Sequence, residues 1–307
     1  MKEFFEKSGV FYRENEPLSK HTSFRIGGPA RWYAEPDSAG QLAALLAALR
    51  EKGVRHTVMG NGSNLLASDA GFGGVVIAIG SRMSGISVEG CRIRAEAGAL
   101  LSRVAHTAME HGLTGLEFAH GIPGSLGGGV FMNAGAYGGE LKDVVRQVEY
   151  LDEELRPCTL RGEDAGFVYR SSLFKARRGT IILAAELALQ QGDRETIAQT
   201  MRELAGRRRE KQPLEYPSAG STFKRPEGDY AARLIEVCGL KGLRVGGAEV
   251  SQKHAGFVIN RGGATCADVL ALCRQIEETV WQRCGVRLER EVELLGGGAA
   301  EDGAGTL

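Results

Sequence analysis

Hydrophobic and polar positions change period several times along this chain, and each change marks an element. From Ser38, SAGQLAALLAALREKG sets Leu42, Leu45, Leu46 and Leu49 three and four residues apart and then reaches Gly53, which predicts an amphipathic helix with a glycine stop. Short β-like runs flank it, RWYAE before and RHTVMG after, making a strand, helix, strand unit. GGVVIAIG, GISVEG and RIRAEAG then predict strands separated by turns. Leu101, Val104, Ala105 and Ala108 line one side of a second helix over residues 100–111. VVRQVEYLDEE and TIILAAELAL read as further strands, and DRETIAQTMRELAGRRREKQP as a charged connector helix stopped by Pro213. A compact region follows, with a helix over 230–237, short strands within 247–251 and 256–259, a helix over 265–284 and a last strand in VRLEREVELL.

This order predicts an α+β fold of two domains with a cleft between them. An N-terminal segment covers 1–20, a first domain 21–200 and a smaller second domain 201–296. The tail over 297–307 has almost nothing to bury and is expected to be disordered.

Composition narrows the classes. Lys plus Arg and Asp plus Glu both total 38, so the net charge gives no pull toward nucleic acid or an anionic membrane. No apolar run reaches the roughly 18 residues of a membrane span, and MKEFFEKSGVFYRE lacks the apolar core of a secretory signal, so a soluble cytoplasmic protein is expected. The six cysteines show no CxxC pair and no histidine at zinc spacing; they read as reduced packing residues, with no metal site.

Glycine is the outlier, at 44 of 307 residues, and GIPGSLGGGVFMNAGAYGGE at 121–140 concentrates it. Ordering glycine costs entropy, so the run implies positive-φ backbone or a ligand lying against bare backbone. It reads as a mobile lid, the start of a helix or a cofactor bed; Ile122, Leu126, Val130, Phe131 and Met132 demand burial and favour the bed. GNGSNLL at 60–66 follows a predicted strand and is either a tight turn or a nest of N–H groups for a pyrophosphate. It lacks the third glycine and the helix of a dinucleotide fingerprint.

Ser221, in AGSTFKRP, reads as a turn residue or a positioned hydroxyl, with no GxSxG elbow to support a hydrolase. Alternation in LEREVELL puts Glu289, Glu291 and Glu293 on one face, either solvated or turned to a site. Arg170 is a surface residue or a guanidinium fork for a carboxylate, and Arg207, Arg208 and Arg209 read as a solvated helix face from which one side chain can reach a phosphate.

Seven stretches occur in an order that resembles one family: HTSFRIGG (21–28), GNGSNLL, GIPGSLGGGVFMNAGAYGGE, YRSS (169–172), PSAGSTFKRP (217–226), KHAGFVIN (253–260) and LEREVELLG (288–296). The chain is similar to the UDP-N-acetylenolpyruvoylglucosamine reductases (MurB) of peptidoglycan synthesis, from about residue 15 to 296. The short interval from Arg170 to Ser221 resembles type II, which lacks the substrate-closing tyrosine loop of type I. The resemblance implies an FAD-binding domain of the PCMH, vanillyl-alcohol-oxidase-like type followed by a substrate domain. FAD is the implied cofactor, NADPH the co-substrate and a UDP-sugar the substrate.

By the same resemblance Arg170, Ser221 and Glu291 are catalytic: Arg170 on the substrate carboxylate, Ser221 as proton donor and Glu291 as a second acid. Tyr169, Lys224, Arg225 and Lys253 are implied to bind substrate, the basic ones at its diphosphate. Arg25, Gly60, Asn61, Gly62, Ser63, Asn64, Leu65, Gly121, Pro123, Gly124, Ser125, Gly128, Asn133, Gly135 and Ala136 are implied to bind FAD. Two rival readings remain at this level. One is a flavin oxidase of the same superfamily, tethering flavin through His21 or His120; the other is a catalytically silent FAD- or nucleotide-sugar-binding regulator, against which the presence of all three catalytic residues argues.

Overall fold

In the computed structural model, which describes residues 1–177 and 179–297, the predicted strands collect into two sheets around a shared core. The first has the order Phe11–Pro17, Pro29–Glu35, Phe72–Ala78 and His56–Met59, antiparallel in the first pair and parallel in the other two. Helix Ala39–Glu51 makes the crossover that parallel strands require. Ser38 caps it by accepting the Gln41 N–H at 3.3 Å, and Leu42, Leu45, Leu46 and Leu49 are all buried, each contributing about 1.5–3 kcal/mol of burial free energy. The second sheet is antiparallel throughout, in the order Pro157–Arg161, Val145–Leu151, Ile181–Ala188, Arg92–Glu96 and Ile86–Glu89.

Three expectations change. The N-terminal segment 1–20 is not separate: strand Phe11–Pro17 lies at the edge of the first sheet, and Phe5 of helix Lys2–Ser8 stacks on Tyr12 at 4.6 Å. The boundary expected near residue 200 falls inside helix Arg194–Lys211, whose Ile197 and Met201 are buried in the first core. The last strand is shorter than VRLEREVELL, covering Glu293–Leu295 with one isolated bridge between Phe223 and Arg290. The tail at 298–307 lies outside the described residues.

The second core is built by helices Ala231–Val237 and Cys266–Cys284 against the strands Arg244–Val245, Ala248–Val250 and Val258–Asn260. A capping box of Thr265 and Asp268 starts the long helix, and Gly285 at φ 69 ends it. The two cores are tied to each other. Strand Glu293–Leu295 pairs in parallel with Leu65–Ala67, and Phe24 and Ile26 pack into the second core. The Asp69 carboxylate accepts the N–H groups of Cys266 at 2.7 Å and Ala267 at 3.0 Å, where a negative charge suits a helix start. These ties bring the 60–66 loop beside the chain end that carries Glu291 and Glu293.

Candidate active site

Two glycine-containing loops meet first. A Cβ on Gly60 would collide with Ser125 Oγ, and one on Gly62, whose φ is 61, would collide with the His21 carbonyl. Within 121–140 the glycines serve close approach more than unusual dihedrals. A Cβ would lie 2.8 Å from Ala97 Cβ at Gly127, 2.8 Å from Leu141 Cδ1 at Gly129 and 2.7 Å from Glu140 Cγ at Gly135. Gly138 is the one glycine of the run with positive φ. The lid reading gives way to a packed turn and helix, Leu126–Met132, capped by Ser125, followed by a hairpin of 135–136 against 139–140.

Between these loops lies a cavity of about 280 Å³. Gly60, Asn61, Gly62, Ser63, Asn64 and Leu65 line it on one side, and Pro123, Gly124, Ser125, Gly128, Gly135 and Ala136 on another. Apolar walls come from Val58, Ile79, Leu101, Ile122, Phe131, Ile181 and Ile182. Three residues expected at the cofactor are not among those that line this cavity. Arg25 is exposed in a left-handed turn outside the lining, and Gly121 backs onto the Arg208 stem, where a Cβ would meet Cδ at 3.1 Å. Asn133 is fully buried with φ 44, donating to Glu140 at 3.0 Å and to the Val168 carbonyl at 3.2 Å while accepting the Lys142 N–H at 3.0 Å. It is a tether that holds the 168–172 turn against the glycine run.

Arg170, Ser221 and Glu291 all line this cavity, although they arrive from three distant segments. Arg170 occupies φ 54, a disfavoured conformation for a side-chain-bearing residue, in a turn closed by reciprocal backbone bonds of Val168 and Ser171 at 3.0 and 3.2 Å. Its Nε donates to Glu291 Oε1 at 2.7 Å and its Nη2 to the Gly135 carbonyl at 3.4 Å. Burial pushes the Glu291 carboxyl above its ordinary range, and the neighbouring Arg170 cation pulls it back part of the way. The Glu291 backbone is fixed from both sides: its N–H donates to Thr222 O at 2.9 Å, and Asn64 Nδ2 donates to its carbonyl at 3.0 Å. The same alternation turns Glu293 into the cavity, where Lys175 pairs with it at 2.5 Å, while Glu289 remains exposed and pairs with Lys224. The solvated-face reading thus holds for Glu289 alone.

Ser221 follows Gly220, which turns the chain at φ 77. Thr222 then locks the strand: its N–H donates to Gly256 O at 2.8 Å and its Oγ1 accepts the Val258 N–H at 2.9 Å. The remaining basic and aromatic candidates are not among the residues that line the cavity. Tyr169 is 46% exposed, and its hydroxyl accepts the Arg225 N–H at 3.2 Å, while the Arg225 guanidinium covers the Tyr230 ring at 4.4 Å. Lys253 donates to Arg209 O at 2.7 Å. Of the arginine triplet, Arg207 lies over the Tyr137 ring and Arg208 turns into the cavity. Gln212 is a lining residue that the sequence pattern did not single out, whereas Arg208 and Glu293 take the site-facing one of the two readings open to each. His21 is engaged by Glu16 at 3.0 Å and stacked on Tyr33 at 4.0 Å, and neither it nor His120 lines the cavity.

Comparison with known proteins decides the family. A family model described as an FAD binding domain matches residues 30–154, and one described as the C-terminal domain of UDP-N-acetylenolpyruvoylglucosamine reductase matches 212–295. The reductase of Caldanaerobacter subterraneus subsp. tengcongensis is 51% identical over 290 residues, spanning 94% of this chain and 95% of its own. This chain belongs to the UDP-N-acetylenolpyruvoylglucosamine reductase family. The Heliobacterium modesticaldum reductase is 46% identical across 96% of this chain and 94% of its own. A crystal structure of the reductase (MurB) from Thermus caldophilus, 35% identical, matches with a TM-score of 0.80 over 94% of this chain and 99% of that one.

The chain is therefore an FAD-dependent oxidoreductase of peptidoglycan synthesis, with the FAD-binding and C-terminal domains of its family. The cavity fits that cofactor. Its apolar walls suit a flat ring, its glycine-lined loops let backbone come close to a ligand, and Arg208 supplies a cation with no carboxylate partner among the described residues. No helix among the described residues is long and apolar enough to cross a membrane.

Proposed function

We propose that this reductase uses NADPH to convert UDP-N-acetyl-3-O-(1-carboxyvinyl)-glucosamine to UDP-N-acetylmuramate, with Ser221 as the proton donor. The same reading takes the reaction to be cytoplasmic. The observation that carries the reading is the convergence of Arg170, Glu291 and Ser221 on the wall of one cavity that also holds the glycine loops. Held between the loops at 60–65 and 123–136, FAD would supply hydride-level, two-electron chemistry linking NADPH to the terminal enol carbon of the substrate.

Everything else falls to the protein. Hydride addition leaves negative charge on the substrate carbon that bears the carboxylate, so that charge must be held and then protonated. Arg170 is a rigid fork already fixed by Glu291 and Gly135 O, which suits bidentate binding of a carboxylate and stabilisation of the enolate beside it. Ser221 gives its hydroxyl proton to that carbon; a hydroxyl is a weak acid, but an enolate carbon is basic enough to take its proton. Glu291, with its carboxyl raised by burial, donates a hydrogen bond to the enolate oxygen when protonated. In this reading Arg225 and Lys224 serve the substrate diphosphate and Tyr169 shapes the substrate pocket, while Lys253, bonded to the Arg209 carbonyl, braces the C-terminal end of helix Arg194–Lys211.

An anaerobic stopped-flow trace near 450 nm separates the half-reactions. Ser221→Ala is expected to bleach normally with NADPH and to recover at least about 10³-fold more slowly on adding the enolpyruvyl substrate, since only the second half uses the acid. Equal slowing of both halves, or normal recovery, would remove Ser221 from the role.

A further inference from the structure

Two polar groups of the cavity wall have no counterpart in the fold. Arg208 and Gln212 lie one helical turn apart at the C-terminal end of helix Arg194–Lys211, with the Gln212 N–H donating to the Arg208 carbonyl at 2.9 Å, and both side chains line the cavity. Gln212 Oε1 is shut off from solvent and accepts no hydrogen bond among the described residues. Arg208 pairs with no carboxylate among them, and burial pushes its guanidinium below its usual range. The Arg208 stem runs against Gly121, where an added Cβ would lie 3.1 Å from Cδ. A buried acceptor without a donor and a half-buried cation without an acceptor both cost stability. A ligand that answers both must present a donor and an acceptor side by side, on a ring flat enough for walls such as Ile122 and Phe131.

We propose that Arg208 and Gln212 together read the cyclic imide edge of a ring bound in this cavity. Gln212 Oε1 accepts from the imide N–H, and the Arg208 guanidinium donates to a flanking carbonyl. The inference rests on the reading of this cavity as the FAD site and deepens it. Two components of the reaction carry such an edge: the pyrimidine part of the flavin and the uracil of the UDP-sugar. The flavin is the better match, because the pair lines the same cavity as the glycine loops, whereas Arg225 and Lys224, the cations assigned to the substrate diphosphate, lie outside the lining. Sequence spacing conceals the pair, since Gln212 stands directly before Pro213 at the end of a charged helix.

The test is a comparison of ligands that differ by one methyl group. Flavin-free protein is titrated with FAD and with FAD methylated at the imide nitrogen, following flavin fluorescence; FAD-loaded protein is titrated with UDP and with its 3-methyl analogue. Wild type is expected to prefer FAD over 3-methyl-FAD by about 5- to 10-fold, the worth of one hydrogen bond. Gln212→Met, which keeps the volume and loses the acceptor, brings that ratio close to one. Arg208→Gln weakens both flavins alike, keeps the ratio, and shifts the flavin midpoint potential to more negative values, because a cation beside the ring favours its electron-rich reduced form. An unchanged flavin ratio in Gln212→Met overturns the assignment. Loss of discrimination confined to the UDP arm transfers the pair to the substrate and overturns the flavin reading of it. If wild type binds neither flavin, the FAD reading of the cavity fails as well, a result distinct from equal binding of both.

Discussion

Arg170 couples a disfavoured backbone to the chemistry, and the two can be separated by substitution. At φ 54 an L residue carries a penalty of about 1–2 kcal/mol, which glycine does not. Arg170→Ala and Arg170→Gly both remove the guanidinium, yet only glycine relieves the backbone, so the glycine variant is expected to be the more stable by about 1 kcal/mol, or about 2 °C in Tm for a chain of this size. Both variants also strip Glu291 of its partner. Breaking a fully buried pair costs about 3–5 kcal/mol. These side chains are 23% and 13% exposed and Glu291 can take up a proton, so about 1–2 kcal/mol is expected at neutral pH.

The pH dependence follows from the direction of the shift. Glu291 already sits above its unfolded value, and losing Arg170 removes the first of the influences that lower it, so its folded pKa rises further. A carboxyl with a raised folded pKa destabilises the fold as pH climbs from its unfolded value through the folded one. The deficit of both variants relative to wild type is therefore expected to shrink at pH 5.5 and grow at pH 7.5. Urea unfolding of the FAD-saturated proteins at the two pH values reads this directly. An alanine variant as stable as the glycine variant would refute the backbone penalty, and a pH-independent deficit would refute the account of the ion pair. Both variants should bleach with NADPH and fail to recover with substrate.

The remaining expectations concern the scaffold. Gly62→Ala places a side chain at φ 61 against the His21 carbonyl and should cost more than about 3 kcal/mol together with most of the bound flavin; Gly138→Ala, at φ 92 with open space around it, should cost only about 1 kcal/mol and keep the flavin. Thermal unfolding and the flavin-to-protein absorbance ratio compare the two, and equal effects would mean that the close approach at Gly62 is unimportant. Asp69→Ala removes the acceptor for two N–H groups at the start of helix Cys266–Cys284 and should destabilise by about 1–2 kcal/mol without slowing flavin reduction. An unchanged urea midpoint would show that this tie carries no stability.

Local periodicity accounts for what was legible in the sequence. The leucines of Ala39–Glu51 and the apolar side of Leu101–Glu110 follow from a 3.6-residue repeat, and the alternation through Glu289, Glu291 and Glu293 from a two-residue repeat. The ordered motifs carried the family, and with it the three residues that line the cavity from separate segments. Side-chain period sets which residues share a face, but it does not set what that face meets. Only the tertiary structure decided that Glu291 meets Arg170 in the cavity while Glu289 stays exposed and pairs with Lys224, or that Arg208 turns inward while its neighbour Arg207 lies on an exposed tyrosine. The glycines make the same point. Their abundance marks the place where backbones converge, yet which backbones converge depends on sheets and helices far apart in the chain. A run read as a bed for a ligand is, for half its glycines or so, room for the protein itself.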